Sequence, residues 1–274
     1  MQLVHSFHSK GCNINNLFYH CITFVLSCLY AKKNGFSINL HCDNLSEKYF
    51  SVAPYDKIIN DLEDLEKPHR RIYAHSKFYT MEKYPLGVIH IDGDVILMKP
   101  GIMDELKFDE YDVIVQCLET QDNWDGAGLY KLSSEALKYC DYPEWAPRGC
   151  DSMYNCGVIG INNPDLKKEY FETYYNMLNQ FKVKGIDMHS VPDIIMEQKF
   201  LMDLCNARGY KVKFLLDENN LQENANRIGY QHLIGSTKEV LHKQCLKHIY
   251  NLDKDIYYRM KNMWSTLFPN SFEF

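Results

Sequence analysis

Two aspartates one residue apart, Asp92 and Asp94, close the apolar run Val88-Ile-His-Ile91, and a second apolar run, Val95–Leu97, follows at once. Strand interiors do not tolerate unpaired carboxylates, because burying a lone charge is costly. Two carboxylates at the end of an apolar strand therefore ask for a cation. Hard divalent ions such as Mn²⁺ and Mg²⁺ accept carboxylate oxygen and keep positions open for phosphate. Gly93 lets the backbone turn sharply and approach a ligand. Asp-Gly is also an ordinary turn pair, but a solvated turn would leave the flanking apolar residues in water. The pattern points to a metal–diphosphate site at the carboxyl end of a strand, where open α/β sheets bind ligands.

Three further stretches carry polar groups in places that ask for a reason. In Tyr230-Gln-His-Leu-Ile-Gly-Ser-Thr-Lys238, His232 is followed by Gly235 and Lys238. An imidazole can complete a metal's coordination, a glycine permits close approach, and an ammonium neutralises phosphate as a point charge. Taken alone, one of eleven histidines is a surface or core residue; beside the aspartate pair it becomes a candidate ligand. In Tyr154-Asn-Cys-Gly-Val-Ile-Gly-Ile-Asn162, Asn155 and Gly157 interrupt an apolar strand and mark a close approach. In Asp193–Phe200, Glu197 and Gln198 are neighbours on an expected helix, so they cannot point the same way. One can face a reaction centre; a solvated helix face explains them equally well.

These residues need a scaffold, and the chain supplies the pattern of one. Strand-like and helix-like segments alternate, which argues for an α/β layered fold. Strands are expected at Leu3–Phe7, Phe36–His41, Val88–Ile91, Tyr111–Gln116, Met153–Ile161 and Tyr210–Leu215, with a short apolar segment at Tyr230–Ile234. Helices are expected at Asn15–Lys33, stopped by Asn34-Gly35, at Asp56–Glu66, Ile72–Tyr84, Pro164–Phe181 and Asp193–Asn206, and in two closing segments. Asp122–Gly128 and Asp217–Gly229 read as polar loops.

Composition narrows the class. The 274 residues are 46% hydrophobic and 24% charged with a net charge of −6, and no stretch is strongly basic. That argues against nucleic acid as a partner. Ten cysteines show no Cys-x-x-Cys spacing and several lie in apolar runs, so a reduced, cytoplasmic protein is expected. Leu17–Ala31 is shorter than the roughly 20 residues that span a bilayer, and His20 interrupts it. The apolar part of a signal peptide is the alternative, with Val25-Leu-Ser-Cys28 as a faint cleavage pattern. Leu3–Phe7 already reads as a strand, however, so a buried first helix is expected. Ile256–Pro269 mixes aromatics with bases; it is expected to pack as a helix, with peripheral contact to the inner face of a membrane as the other reading.

Taken in order, strand–Asp92-Gly93-Asp94, Asn155-Cys-Gly157-Val158, Glu197-Gln198 and His232-x-x-Gly235-x-x-Lys238 resemble the nucleotide-sugar glycosyltransferases of the GT-A fold, nearest to the glycogenin and bacterial galactosyltransferase group. The likeness runs from about residue 72 to 238. It implies one Rossmann-like mixed α/β sheet flanked by helices, over residues 1–274. Residues 1–91 would be the nucleotide-binding half, 92–250 the metal, donor-sugar and acceptor half, and 251–274 a C-terminal helix. By position, Asp92, Asp94 and His232 would hold Mn²⁺ or Mg²⁺ against the donor diphosphate, and Lys238 would bind phosphate. Gly93 and Gly235 would bring the backbone close to the donor. Lys77 would be a basic donor-binding residue, and Phe7, His8 and Ser9 would face the base and ribose. Asn155, Gly157, Glu197 and Gln198 would lie near the transferred sugar. The departures are Glu239-Val240, where Pro-Trp usually follows the lysine, and Lys199, where a second acid usually stands.

The implied reaction moves a sugar from a nucleotide-sugar donor, with UDP taken from the likeness, to a glycan or lipid-linked acceptor in polysaccharide biosynthesis. An inverting enzyme needs a carboxylate to take the acceptor proton, for which Glu197 comes first and Asp125 second. In a retaining enzyme, as the nearest likeness implies, the donor's own phosphate takes it. A phosphatase of the haloacid-dehalogenase type also ends a strand in Asp-x-Asp, but places the pair early. A nucleotidyltransferase would want a glycine-rich basic loop after the first strand. A non-catalytic sugar-binding module has no need of a diphosphate clamp.

Overall fold

The computed structural model describes residues 2–10, 12–65, 74–102, 107–122, 128–138, 141–184, 194–217 and 220–272. In chain order the elements are β1 (Gln2–Phe7), α1 (Ile14–Lys33), β2 (Ser37–Cys42), α2 (Asn44–Phe50), β3 (Lys57–Ile59), α3 (Ala74–Glu82), β4 (Val88–Ile91), β5 (Val95–Leu97), β6 (Val113–Thr120), α4 (Leu129–Ala136), β7 (Ser152–Ile161) and α5 (Pro164–Lys184). A π-helical turn, Ile194–Lys199, leads into α6 (Phe200–Arg208), followed by β8 (Val212–Phe214), α7 (Leu221–Ile228), β9 (Tyr230–His232), α8 (Thr237–Leu252) and α9 (Lys254–Trp264). The chain is an α/β protein with a mostly parallel sheet flanked by helices.

Two compact units divide it. The first comprises Met1–Leu65, Ile91–Met103 and Ala225–Phe274. Its strands run in the order β3-β2-β1, all parallel, with Leu3 opposite Ile38, Phe7 opposite Cys42 and His41 opposite Ile59. A separate antiparallel pair joins β5 to β9. Helix α1 starts on the Asn13 cap, whose side chain accepts from the Asn16 N–H at 2.8 Å. Gly35, at φ 81°, ends it as the Asn-Gly signal predicts. By length and composition α1 could cross a membrane; here its residues from Leu17 to Ala31 are mostly buried, packing against α8, β5 and β2. Trp264 of α9 is fully buried, stacked on Tyr49 with ring centroids 4.4 Å apart.

The second unit comprises Glu66–His90 and Asp104–Asn224. Its strands run in the order β4-β7-β6-β8, with β7 antiparallel and β8 parallel to β6. Its core is aromatic: Phe78 of α3 stacks on Tyr174 of α5 at 3.5 Å, and Tyr170 stacks on Phe200 of α6 at 6.0 Å.

Two expectations are corrected. Of the expected helix Asp56–Glu66, residues 56–65 are not helical and Glu66 lies outside the described residues: Asp56 spends its carboxylate on the Ile38 N–H (2.7 Å), the Ser37 hydroxyl and the Lys32 ammonium, and the following residues pair as β3. The polar stretch Asp217–Gly229 contains α7, whose polar residues are the exposed side of an amphipathic turn that buries Ile228. The polar residues after His41 form α2, capped by Asp43, whose side chain accepts from the Ser46 N–H at 2.8 Å.

Candidate metal centre

The centre lies in the first unit. After β4, Asp92-Gly93-Asp94 forms a turn closed by the Val95 N–H on the Asp92 carbonyl at 2.9 Å. Strand β9 then runs antiparallel to β5 with His232 opposite Val95, and the Leu233 N–H binds the Asp94 carbonyl at 3.0 Å. This pairing brings Asp92, Asp94 and His232 together, with one ligand atom from each lying within 4.8 Å of the others. The two oxygens of Asp94 divide the work. His232 Nε2 faces Oδ1 at 3.3 Å, and Lys238 Nζ holds Oδ2 at 2.6 Å. Burial alone would raise the Asp94 carboxyl, but hydrogen bonds and charge from His232 and Lys238 outweigh it and hold it well below the usual carboxylate range. Two carboxylates and an imidazole form the oxygen–nitrogen donor set that suits Mn²⁺ or Mg²⁺, so the residues present fit a divalent ion.

Two glycines shape the centre for different reasons. A Cβ on Gly93 would lie 1.8 Å from the Phe24 ring, so only glycine fits above that helix. Gly235 has nothing within 4 Å of a built Cβ, and its requirement is its φ of 60°. Of the other residues in this unit singled out from the sequence, Phe7 packs among His20, Phe24 and Phe50. His8 Nδ1 accepts from the Lys10 N–H at 3.0 Å, and the Ser9 hydroxyl donates to Asp43 at 3.1 Å.

A second polar constellation lies in the second unit. Val115 pairs with Ile159 and Cys117 with Asn155, so three residues of β7, Cys156 to Val158, oppose Gln116 alone. Residues Cys156–Val158, next to the paired Asn155, therefore form a β-bulge, a feature common beside active sites. Asn155 folds onto the bulge: its Oδ1 accepts from the Gly157 N–H at 2.9 Å, while Nδ2 donates to Glu119 at 2.7 Å. The Cys156 carbonyl accepts from Lys77 Nζ at 2.9 Å, and the same ammonium lies 2.6 Å from Glu197 Oε1. Glu197 sits in the π-helical turn, buried, while Gln198 is half-buried. Such turns recur at functional sites. Asp125 lies outside the described residues. Glu119 was missed from sequence; its only signal is an acid at an inward position of an apolar strand.

The family described as "Family of unknown function (DUF6734)" matches residues 1–273. The chain belongs to this family. No curated protein matches it. Among solved structures, the galactosyltransferase LgtC in complex with donor and acceptor sugar analogs shares 11% identity over 72% of this chain and 70% of its own, at a TM-score of 0.42. The apo-form glycosyltransferase GlyE of Streptococcus pneumoniae TIGR4 shares 11% over 100% of this chain and 64% of its own, at 0.47. The inositol-1-phosphate CTP transferase of T. maritima shares 12% over 79% of this chain and 84% of its own, at 0.43.

Proposed function

We propose that the protein is a metal-dependent glycosyltransferase, moving a sugar from a nucleotide-sugar donor, UDP-linked, to a glycan or lipid-linked acceptor in cytoplasmic polysaccharide synthesis. One observation carries the reading: Asp92, Asp94 and His232 offer ligand atoms within 4.8 Å of one another, and Lys238 stands 2.6 Å from Asp94. The bound ion would supply positive charge for a departing diphosphate. Asp92, Asp94 and the His232 imidazole would hold that ion. Lys238 orients Asp94 through Oδ2 and adds a second positive charge for phosphate. Developing negative charge on a leaving group is the target that such preorganised cations stabilise most.

Within the second unit, the Lys77–Glu197 pair supports a retaining reaction. Glu197 is buried and already engaged by an ammonium, so it serves as a fixed negative charge for the donor sugar rather than as a proton acceptor. Asn155 and Gln198 are the accompanying polar contacts for the sugar.

Differential scanning of the full chain with Mn²⁺, with a panel of nucleoside diphosphates, and with both together tests this reading. Mn²⁺ with UDP should raise the melting temperature above either alone, by mass action. A panel of nucleotide sugars should then show one donor hydrolysed slowly to sugar and nucleoside diphosphate. No shift with any nucleotide would favour a sugar-binding module. Phosphate release from simple esters would favour a phosphatase, and pyrophosphate release from a nucleoside triphosphate and a sugar phosphate would favour a nucleotidyltransferase.

A further inference from the structure

Under the Asp92-Gly93-Asp94 turn, within the first unit, a buried chain of polar groups runs where no ligand role reaches. Tyr55 Oη lies 2.7 Å from His5 Nδ1, His5 Nε2 lies 3.2 Å from Ser27 Oγ, and Ser27 Oγ donates to the Val95 carbonyl at 2.6 Å. His5, Ser27 and Val95 are all buried. The proton positions follow from the donor inventory. Ser27 has one proton, and the Val95 carbonyl can only accept, so that proton is committed. His5 Nε2 must then carry the hydrogen that points to Ser27 Oγ. A neutral imidazole has one N–H, so Nδ1 accepts, and the Tyr55 hydroxyl donates to it, while also lying 3.4 Å from the Phe24 carbonyl. The result is a one-way chain, Tyr55 to His5 to Ser27 to Val95, fixed in a single tautomer.

The chain ends on the residue that follows Asp94. The Asp94 carbonyl is held from the other side by Leu233. From below, Gly93 rests on the Phe24 ring, which is itself wedged by Phe50 at 4.9 Å and by the edge of His5 at 5.0 Å. The turn that presents both aspartates is thus gripped by α1 and β1 on one side and by β9 on the other.

We infer that Ser27, His5 and Tyr55 are positioning residues for the metal ligands, acting through the Val95 carbonyl. The inference rests on the metal centre proposed above. Groups that orient ligands from behind typically change metal affinity by 10–100-fold when removed. A mid-helix serine that bonds outside its own helix is also unusual, since serine there commonly bonds back to its own turn.

The test is Mn²⁺ titration of the full chain without nucleotide, followed by the electron paramagnetic resonance of free Mn²⁺. Ser27→Ala should weaken Mn²⁺ about 10-fold, and Ser27→Thr should restore it to within about threefold. A purely structural role would instead lower the melting temperature and leave Mn²⁺ affinity alone. Tyr55→Phe, which removes only the far donor, guards against a Ser27 variant that fails to fold. In nitrogen-resolved histidine spectra the wild type should show His5 as the Nε2–H tautomer alone, and Tyr55→Phe should lose that single form while Mn²⁺ weakens. Wild-type binding with Ser27→Ala and Tyr55→Phe both within twofold of it would overturn the inference and leave the metal centre standing, as would a wild-type His5 protonated on Nδ1. A wild type that binds no Mn²⁺ would overturn the metal centre first, and this inference with it.

Discussion

Asp94 is the side chain on which the centre turns. Its carboxylate is nearly buried between His232 and Lys238, and each of its oxygens has a separate cationic or imidazole partner. Asp94→Asn keeps the shape and removes the charge. We expect Mn²⁺ binding and turnover to fall by at least about 100-fold. The chain should stay folded with a loss of about 2 kcal/mol, because Lys238 loses its counter-charge; retained turnover in this variant would remove Asp94 from the ligand set. His5 makes a second prediction at this scale. Burial pushes its imidazole down to about 3 from the ordinary 6.5, against the opposing pull of Asp94. A folded value below the unfolded one means that its contribution to stability is complete above pH 6.5 and drains as pH falls toward 3. Between pH 6.5 and 5 the wild type should lose on the order of 1–2 kcal/mol to this group. Urea midpoints compared across that window in wild type and His5→Gln should show the difference; parallel curves would mean that His5 titrates normally.

At the scale of elements, the pairing of β5 with β9 decides whether a centre exists. It is a short antiparallel pair, and its far end depends on Gly229. That residue sits at φ 67°, and its carbonyl receives the Met98 N–H at 2.7 Å. Lys99 Nζ completes the corner on the carbonyls of Asn226 and Arg227 at 3.1 and 2.7 Å. A Cβ on Gly229 would come within 2.6 Å of the Lys99 side chain, which can shift, and 3.1 Å of its backbone nitrogen, which cannot. Gly229→Ala should therefore cost about 1–3 kcal/mol through backbone strain and displacement. It should also weaken Mn²⁺, since the corner sets where His232 lands; a variant with unchanged melting temperature and Mn²⁺ affinity would show that the corner is not rigid. In the second unit the same logic applies to the bulge at Cys156–Val158, beside Asn155. Its freed carbonyl is satisfied by Lys77, and the Asn155 side chain closes its own loop.

For the whole molecule, ligand binding is where the proposal becomes a measurable number. A ligand present at 100 times its dissociation constant stabilises the folded form by about 2.7 kcal/mol. In a chain of 274 residues that corresponds to a rise in melting temperature on the order of a few degrees, and it should require Mn²⁺ and nucleoside diphosphate together. Much of what frames this expectation was legible in order along the chain. The α/β alternation and most strand and helix positions came from hydrophobic periodicity and from stop signals such as Asn34-Gly35. The Asp92-Gly93-Asp94 turn stood out because carboxylates abutted apolar residues on both sides, and His232 because Gly235 and Lys238 followed it. What stayed hidden has a common cause. Strand β3 was concealed because Asp56, read as the opening of a helix, is used up on Ile38 of another strand. The bulge was concealed because a register slip is a property of two strands, and only one of them contains Asn155.

The sequence by itself determined the layered class, the limits of most elements and the identity of the candidate ligands, since these depend on periodicity and on the cost of burying charge, both local properties. Only the tertiary structure decided which of those groups meet. It set His232 beside Asp94, gave Lys77 to Glu197, and hung the ligand turn on Tyr55, His5 and Ser27. Each of these meetings joins residues far apart in the chain, and contact over such distances is fixed by strand register and helix packing, which no local pattern encodes.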